Sequence, residues 1–344
     1  MPPRPSHHTP QQRFQNPWPG SREHRATGLW QWAWDRARQG RLFAAPRGTP
    51  PASATAAITY PRSAPDSCRI TWIGHSSFLL QIDGLNILTD PVFGERASPL
   101  SFMGPKRLVP PGIALDALPP IDIVLQSHDH YDHLCDATVR AIAIHSPDAT
   151  WCCPLGVGRQ LRARGVLHLV ELDWHQSAPT GGSHGGSHGS SHGGSQVCCV
   201  PARHFAGRTM TGRNATLWCG WVLETAHHRI YFVGDTGDHP DFGEIAKHHG
   251  PFDAVLMPIG AYDPRWFMAP IHVNPEEAVA AHTAIAAQQA FLPVMVGMHW
   301  GTFVLTDEPV DEPPTRTRAA WQATGFPEQN LWIMQPGETR DLGR

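Results

Sequence analysis

Hydrophobic positions gather into short blocks from about residue 68 onward, each closed by turn residues. Blocks 69–73, 77–82 and 85–89 read as three strands, the last two joined by the tight turn Asp83-Gly84. A short apolar run at 123–126 reads as a buried strand, and 137–143 as a short helix. Further strands are expected within 165–172, at 196–200 and at 253–258, with a hairpin from 217–224 and 229–233. Residues 275–290 read as a helix, with Asn274 at the N-cap, Pro275 at the first position and Glu276-Glu277 in the first turn. Strands, then helices, then strands again give a mixed α/β (α+β) layer pattern within one domain, 67–344. Upstream, 1–66 reads as a Pro-rich, largely disordered arm with a short Trp-rich helix running from Leu29 to Arg38. Packing on the core is the plain reading of that helix, and a lipid-facing Trp/Arg patch the sharper one. Residues 181–195, a Gly-Ser-His tract, read as a flexible insertion.

Composition narrows the field. The chain has 344 residues, 41% hydrophobic, and a formal net charge of −3, so no basic field points to nucleic acid. Lysine occurs only at Lys106 and Lys247. Seven cysteines without a CxxC spacing are expected to be reduced thiols in a cytoplasmic setting. The first 20 residues lack an apolar signal segment, and no 18-residue apolar stretch is present, so neither export nor a spanning helix is expected.

The candidate chemistry begins where the 123–126 strand ends, in Ser127-His128-Asp129-His130-Tyr131-Asp132-His133. His128 and His130 are two residues apart, so in extended chain they face one side and can share a metal. Asp132 and His133 can reach a second. Imidazole and carboxylate without thiolate suit a catalytic rather than a structural metal. His204 follows the predicted strand 196–200, Asp235 the strand 229–233 and His299 the apolar run 291–296, each next to Gly or Pro, and a carboxylate such as Asp235 can bridge two ions. The Gly-x-Ser-x-Gly match at 185–189 is generated by the tract repeats and has no strand before it. His184, His188 and His192 in the tract leave open a non-enzymatic metal-binding role.

His-x-His-x-Asp-His with a later His, Asp and His resembles the metallo-β-lactamase superfamily. Thr71-Trp72-Ile73-Gly74-His75-Ser76, Leu88-Thr89-Asp90-Pro91, Met103-Gly104-Pro105-Lys106-Arg107, Glu171-Leu172-Asp173-Trp174, the block 258–268 and His299-Trp300-Gly301-Thr302-Phe303 are similar to one branch of it. That branch is the N-acyl-phosphatidylethanolamine-hydrolysing phospholipase D and its bacterial relatives. The likeness runs from Ile70 to the C-terminus, with Asn16-Pro17-Trp18-Pro19 a fainter echo. It implies a four-layer αβ/βα sandwich and two zinc ions. His128, His130 and His204 would hold the first ion, Asp132, His133 and His299 the second, and Asp235 would bridge them. It further implies catalytic roles for Asp235, Asp132 and His272, and substrate contacts from His272, His282 and Tyr262. The implied reaction releases phosphatidic acid and an N-acylethanolamine from the N-acylated phospholipid. A phospholipid substrate implies a transient membrane contact, and a homodimer is compatible with the branch. The His-x-Lys motif of other phospholipases D is absent, since neither lysine has a His two residues before it. The chain departs from the branch at Ile271, where a polar residue is usual, in the 181–195 tract, and in a longer 289–296 segment. A lactone or small phosphodiester hydrolase of the same fold is the rival activity.

Overall fold

The computed structural model describes residues 5–18, 26–41, 45–100, 102–180, 195–209 and 212–343. Helix α1 (Ala26–Arg38) precedes the antiparallel strands β1 (Cys68–Gly74), β2 (Ser77–Ile82) and β3 (Leu85–Thr89). Then come β4 (Ile123–Leu125), α2 (Asp136–His145), β5 (Thr150–Pro154), α3 (Gly158–Arg162) and β6 (His168–Leu172), the strands parallel to one another. The second half runs β7 (Ser177–Pro179), β8 (Gln196–Val200), β9 (Gly220–Glu224), β10 (Arg229–Phe232), α4 (Phe242–His249), β11 (Ala254–Pro258) and α5 (Arg265–Met268). It closes with α6 (Pro275–Ala286), β12 (Val294–Met298), α7 (Glu312–Thr324), β13 (Leu331–Trp332) and β14 (Thr339–Asp341). Two seven-stranded sheets result, ordered β14-β1-β2-β3-β4-β5-β6 and β13-β12-β11-β10-β9-β8-β7. This is the α+β sandwich that the sequence predicts.

The central strands, such as β2, β3, β4 and β11, are buried along their whole length, on both faces of the sheet. Along β1 and β2 the period of two sends Ile70, Trp72, Phe78 and Leu80 into the core between the sheets, beside Trp221 and Tyr231. Ile73 and Leu79 turn to the opposite face, into a second core with Val124, Val139 and Trp151 under α2. A one-residue slip would exchange the two cores, so register is strongly fixed.

Several expectations change. Residues 5–18 are not disordered: Phe14 is buried in the main core, and its N–H donates to the Asn214 carbonyl at 2.9 Å. The aromatic and imidazole content hidden in that polar stretch supplies the contacts that hold it. Residues 45–66 form no regular element but are strapped down, for example by the Thr59 N–H donating to Gln81 Oε1 at 2.9 Å. Helix α6 has the N-cap expected at Asn274, which Glu277 completes as a capping box, but it ends at Ala286 rather than 290. Pro293 biases the residue before it toward extended chain, and β12 follows directly. The tract 181–194 lies outside the described residues. In α1, Trp32 packs on Phe267 with ring centroids 5.6 Å apart, whereas Trp30 and Trp34 are exposed. Among the described residues, no helix is long and apolar enough to cross a membrane.

Candidate metal centre

The site lies where strands of both sheets end. The His128–His133 segment follows β4, His204 follows β8, Asp235 follows β10 and His299 follows β12. Gly234 (φ +68°) makes the turn that presents Asp235, and a Cβ there would stand 2.6 Å from the Cys219 carbonyl oxygen, so only glycine fits. Two groups of donors form. His128, His130 and His204 offer ring nitrogens within 4.8 Å of one another, and so do His75, Asp132, His133 and His299 with their carboxylate oxygen. Asp235 Oδ2 sits between the groups, 3.1 Å from both His133 Nε2 and His299 Nε2, 3.7 Å from His204 Nε2 and 3.9 Å from His128 Nε2.

Surrounding hydrogen bonds settle which nitrogens face inward with lone pairs. Ser127 Oγ donates its proton to Asp90, so His128 Nδ1 must donate to Ser127 Oγ, at 2.8 Å. His204 Nδ1 donates to the Ile271 carbonyl at 2.9 Å, and His133 Nδ1 to Asp90 at 2.6 Å. The Nε2 atoms of His128 and His204, both neutral, are therefore acceptors, and that of His133 is one once its ring gives up the proton that the neighbouring carboxylates favour. His130 Nδ1 lies 2.9 Å from one of them and 3.2 Å from another, and a single proton serves only one. His133 Nε2 faces the Asp235 and Asp132 carboxylates, at 3.1 and 3.5 Å, with no hydrogen-bond partner. His299 Nε2 is placed likewise, at 3.1 and 3.6 Å, and Asp235 Oδ1 is also unpaired. Buried acceptors converging in this way are costly unless a cation satisfies them. The donor set thus fits metal ions, of the borderline kind that takes imidazole and carboxylate. Burial lowers the pKa of His128 and His204 well below the usual imidazole value, which keeps them neutral as ligands must be, whereas at His133 and His299 the Asp235 and Asp132 carboxylates outweigh burial and raise it, to about 9 for His299, so these two rings bind a cation in exchange for a proton.

The seven residues expected to hold metal are all brought together, and His272 joins them, with Nε2 4.0 Å from Asp235 Oδ2 and its ring 5.0 Å from that of His204. The other two expected substrate residues engage partners outside the two donor groups. His282 is wholly buried on α6, its Nε2 3.2 Å from the Pro293 carbonyl and its ring against Trp321 in α7. The Tyr262 hydroxyl donates to Glu312 at 2.8 Å under the Arg316 guanidinium. Both are engaged by α7, an element outside the strands and helices expected from the sequence. Asp129, inside the cluster, turns outward to accept from Gln160, Thr216 and the Gly207 N–H.

Two site residues were not singled out from the sequence. His75, on the turn between β1 and β2, places Nε2 3.1 Å from Asp132 Oδ2 and its ring 4.0 Å from His299. Asp90, at the end of β3, orients His133. Both obey the pattern that found His204 and Asp235, a ligand-type residue just past a strand beside Gly or Pro, so the signal was present.

A model of the beta-lactamase superfamily domain matches residues 85–300, which contain all seven expected ligands. An uncharacterized protein of Mycobacterium tuberculosis is 47% identical over 253 residues, 73% of this chain and 63% of that protein. The N-acyl-phosphatidylethanolamine-hydrolyzing phospholipase D 1 of Caenorhabditis elegans is 38% identical over 239 residues, 68% of this chain and 64% of that protein. The chain thus spans less than two thirds of these relatives' lengths. A solved metallo hydrolase of the archaeon Ignicoccus hospitalis has the same fold, with a TM-score of 0.59 and 21% identity over 81% of this chain and 99% of that one.

Proposed function

This chain belongs to the beta-lactamase superfamily, and from that membership we propose that it is a metal-dependent hydrolase holding two zinc ions. Its substrate on this reading is a phosphodiester, N-acyl-phosphatidylethanolamine, cleaved to phosphatidic acid and an N-acylethanolamine. The position of Asp235 Oδ2 carries the two-ion reading, because it faces His128 and His204 on one side and His133 and His299 on the other. His128, His130 and His204 would hold one ion, Asp132, His133 and His299 the other, and Asp235 both. Bound there, the ions supply a water ionised near neutral pH and a positive field for phosphoryl oxygens.

The protein's own groups do the rest. Asp235 accepts a proton from the attacking water, and His272, with Nδ1 unpaired, is free to meet a phosphoryl oxygen or the leaving alcohol. Asp90 and His75 hold His133 and Asp132 in place. Beside His204 and His272 lies an apolar cluster of Phe267, Met268 and Ile271, with Trp32 and Phe205 packed on it. Phe205 also touches His130, with ring centroids 4.4 Å apart. An apolar wall next to the reacting centre suits a lipid better than a free sugar or nucleotide phosphate. The lipid reading entails transient docking on a membrane, for which the exposed Trp30, Trp34, Phe102 and Met103 offer apolar side chains.

The test is turnover of N-acyl-phosphatidylethanolamine in vesicles, compared with a lactone and bis-p-nitrophenyl phosphate. Preferred cleavage of the lipid is expected. Activity on the soluble compounds alone refutes the lipid reading and leaves a hydrolase of another substrate class.

A further inference from the structure

A second histidine–carboxylate cluster lies outside the centre just described and shares no residue with it. His7 Nε2 and His8 Nε2 stand 2.7 Å from Asp173 Oδ1 and Oδ2 respectively, bridging a sequence separation of 166 residues. The three donor atoms lie within 4.8 Å of one another. Consecutive side chains in extended chain point to opposite sides. Here both turn to one carboxylate, because the backbone is folded back on itself. The His8 N–H donates to the Pro5 carbonyl at 3.0 Å, the Gln15 N–H donates to the His7 carbonyl at 2.9 Å, and His8 pairs with Phe14 as a β-bridge.

Aromatic contacts then fix each ring. His7 stacks on Trp174 with centroids 4.3 Å apart, and His8 meets the edge of Phe14 at 5.0 Å. Asp173 is itself anchored, since its Oδ1 accepts the Trp174 N–H at 2.8 Å. His7 is buried, whereas His8 and Asp173 are partly exposed, so the cluster is reached by solvent from the His8 side.

We propose that His7, His8 and Asp173 form a third metal site, which takes a borderline divalent cation such as zinc and fastens the N-terminal arm to the domain. Two imidazoles and one carboxylate, with a solvent-filled fourth position, are ligands that zinc accepts. The ion would close the loop between residues 7 and 173 and so stabilise the arm as a whole. That arm reaches the catalytic centre. Asn16 Nδ2 donates to the His204 carbonyl at 2.8 Å, and Trp18 Nε1 donates to Asp241 at 3.2 Å while its ring stacks on His239. Occupancy of the site therefore holds in place the segment that buttresses His204.

The experiment uses the full chain, equilibrated with buffered zinc, and counts bound zinc by elemental mass spectrometry in the wild type, the His7→Ala/His8→Ala variant and Asp173→Asn. Both variants should bind one equivalent fewer than the wild type. Trypsin cleavage after Arg13 provides a readout of arm docking. Zinc should slow it about tenfold in the wild type when free zinc exceeds the site's Kd about tenfold, and not at all in the variants. Equal zinc content in wild type and variants overturns the proposal and reduces the cluster to imidazole–carboxylate hydrogen bonds.

Discussion

His133 Nδ1 donates to Asp90 Oδ2 at 2.6 Å, with both side chains fully buried. The carboxylate is in turn held by the Ser127 N–H at 2.6 Å and by Gln126 Nε2 at 3.0 Å. Asp90 has a φ of +30°, a strained value for a residue other than glycine, and its backbone is secured by Ser77 Oγ donating to its carbonyl at 2.6 Å. This lattice aims His133 Nε2 at Asp235. Asp90→Asn should lower zinc affinity by about 10–100-fold, the usual cost of losing such a support. Competition with a chelating dye measures it, and a variant that keeps wild-type affinity would show Asp90 to be merely structural.

Asp235→Asn keeps the shape of the side chain and removes its charge. Turnover should fall by at least about 100-fold, the lower end for loss of an acid–base group. Thermal stability and circular dichroism should stay close to wild type. Retained turnover would remove Asp235 from its bridging position.

His282 and His272 are separable by mutation. Burial pushes the His282 pKa down to about 4, partly offset by its contact with the Pro293 carbonyl. A histidine whose folded value lies below its unfolded value of about 6.5 destabilises the fold as pH falls through that window, because the unfolded chain binds the proton more readily. His282→Gln should therefore flatten the loss of stability between about pH 6.5 and 4. It should leave turnover unchanged, whereas His272→Ala should lower turnover with little change in melting temperature. Melting curves across that pH range, set beside kinetics, check both. An active-site role for His282 would appear as lost turnover.

The three tryptophans of α1 make different predictions. Trp30 and Trp34 are 77% and 61% exposed, while Trp32 Nε1 donates to Asp307 at 2.6 Å. Trp30→Ala/Trp34→Ala should abolish co-sedimentation with phospholipid vesicles at unchanged melting temperature. Trp32→Ala should instead lower the melting temperature, because Asp307 also binds Arg36 and the loss reaches a buried charge network. Wild-type vesicle binding by the double variant would exclude α1 as the docking element.

How much was legible follows from how strongly local pattern constrained each element. The strands β1 to β3, β8 and β11 were readable because long apolar runs bounded by Asp-Gly, Gly and Pro admit few alternatives. The ligands were readable because they sit just past such strands. Strand β5 was missed since Thr150–Pro154 is short and carries two cysteines and a proline. Helix α7 was missed because it opens on Glu312-Pro313-Pro314 and has weak amphipathic patterning. Tyr262 and His282, named as substrate residues by the resemblance alone, find partners on that helix in Glu312 and Trp321. The folding of residues 5–18 was invisible locally because its partners, Asp173 and Asn214, lie more than 150 residues away.

Hydrolysis of N-acyl-phosphatidylethanolamine vesicles in oxygen-18 water tests the central claim most directly. Attack of water at phosphorus places the label on the phosphate of phosphatidic acid and releases unlabelled N-acylethanolamine, and the zinc-depleted protein should release neither. Label in the alcohol, or full turnover without metal, would contradict the account.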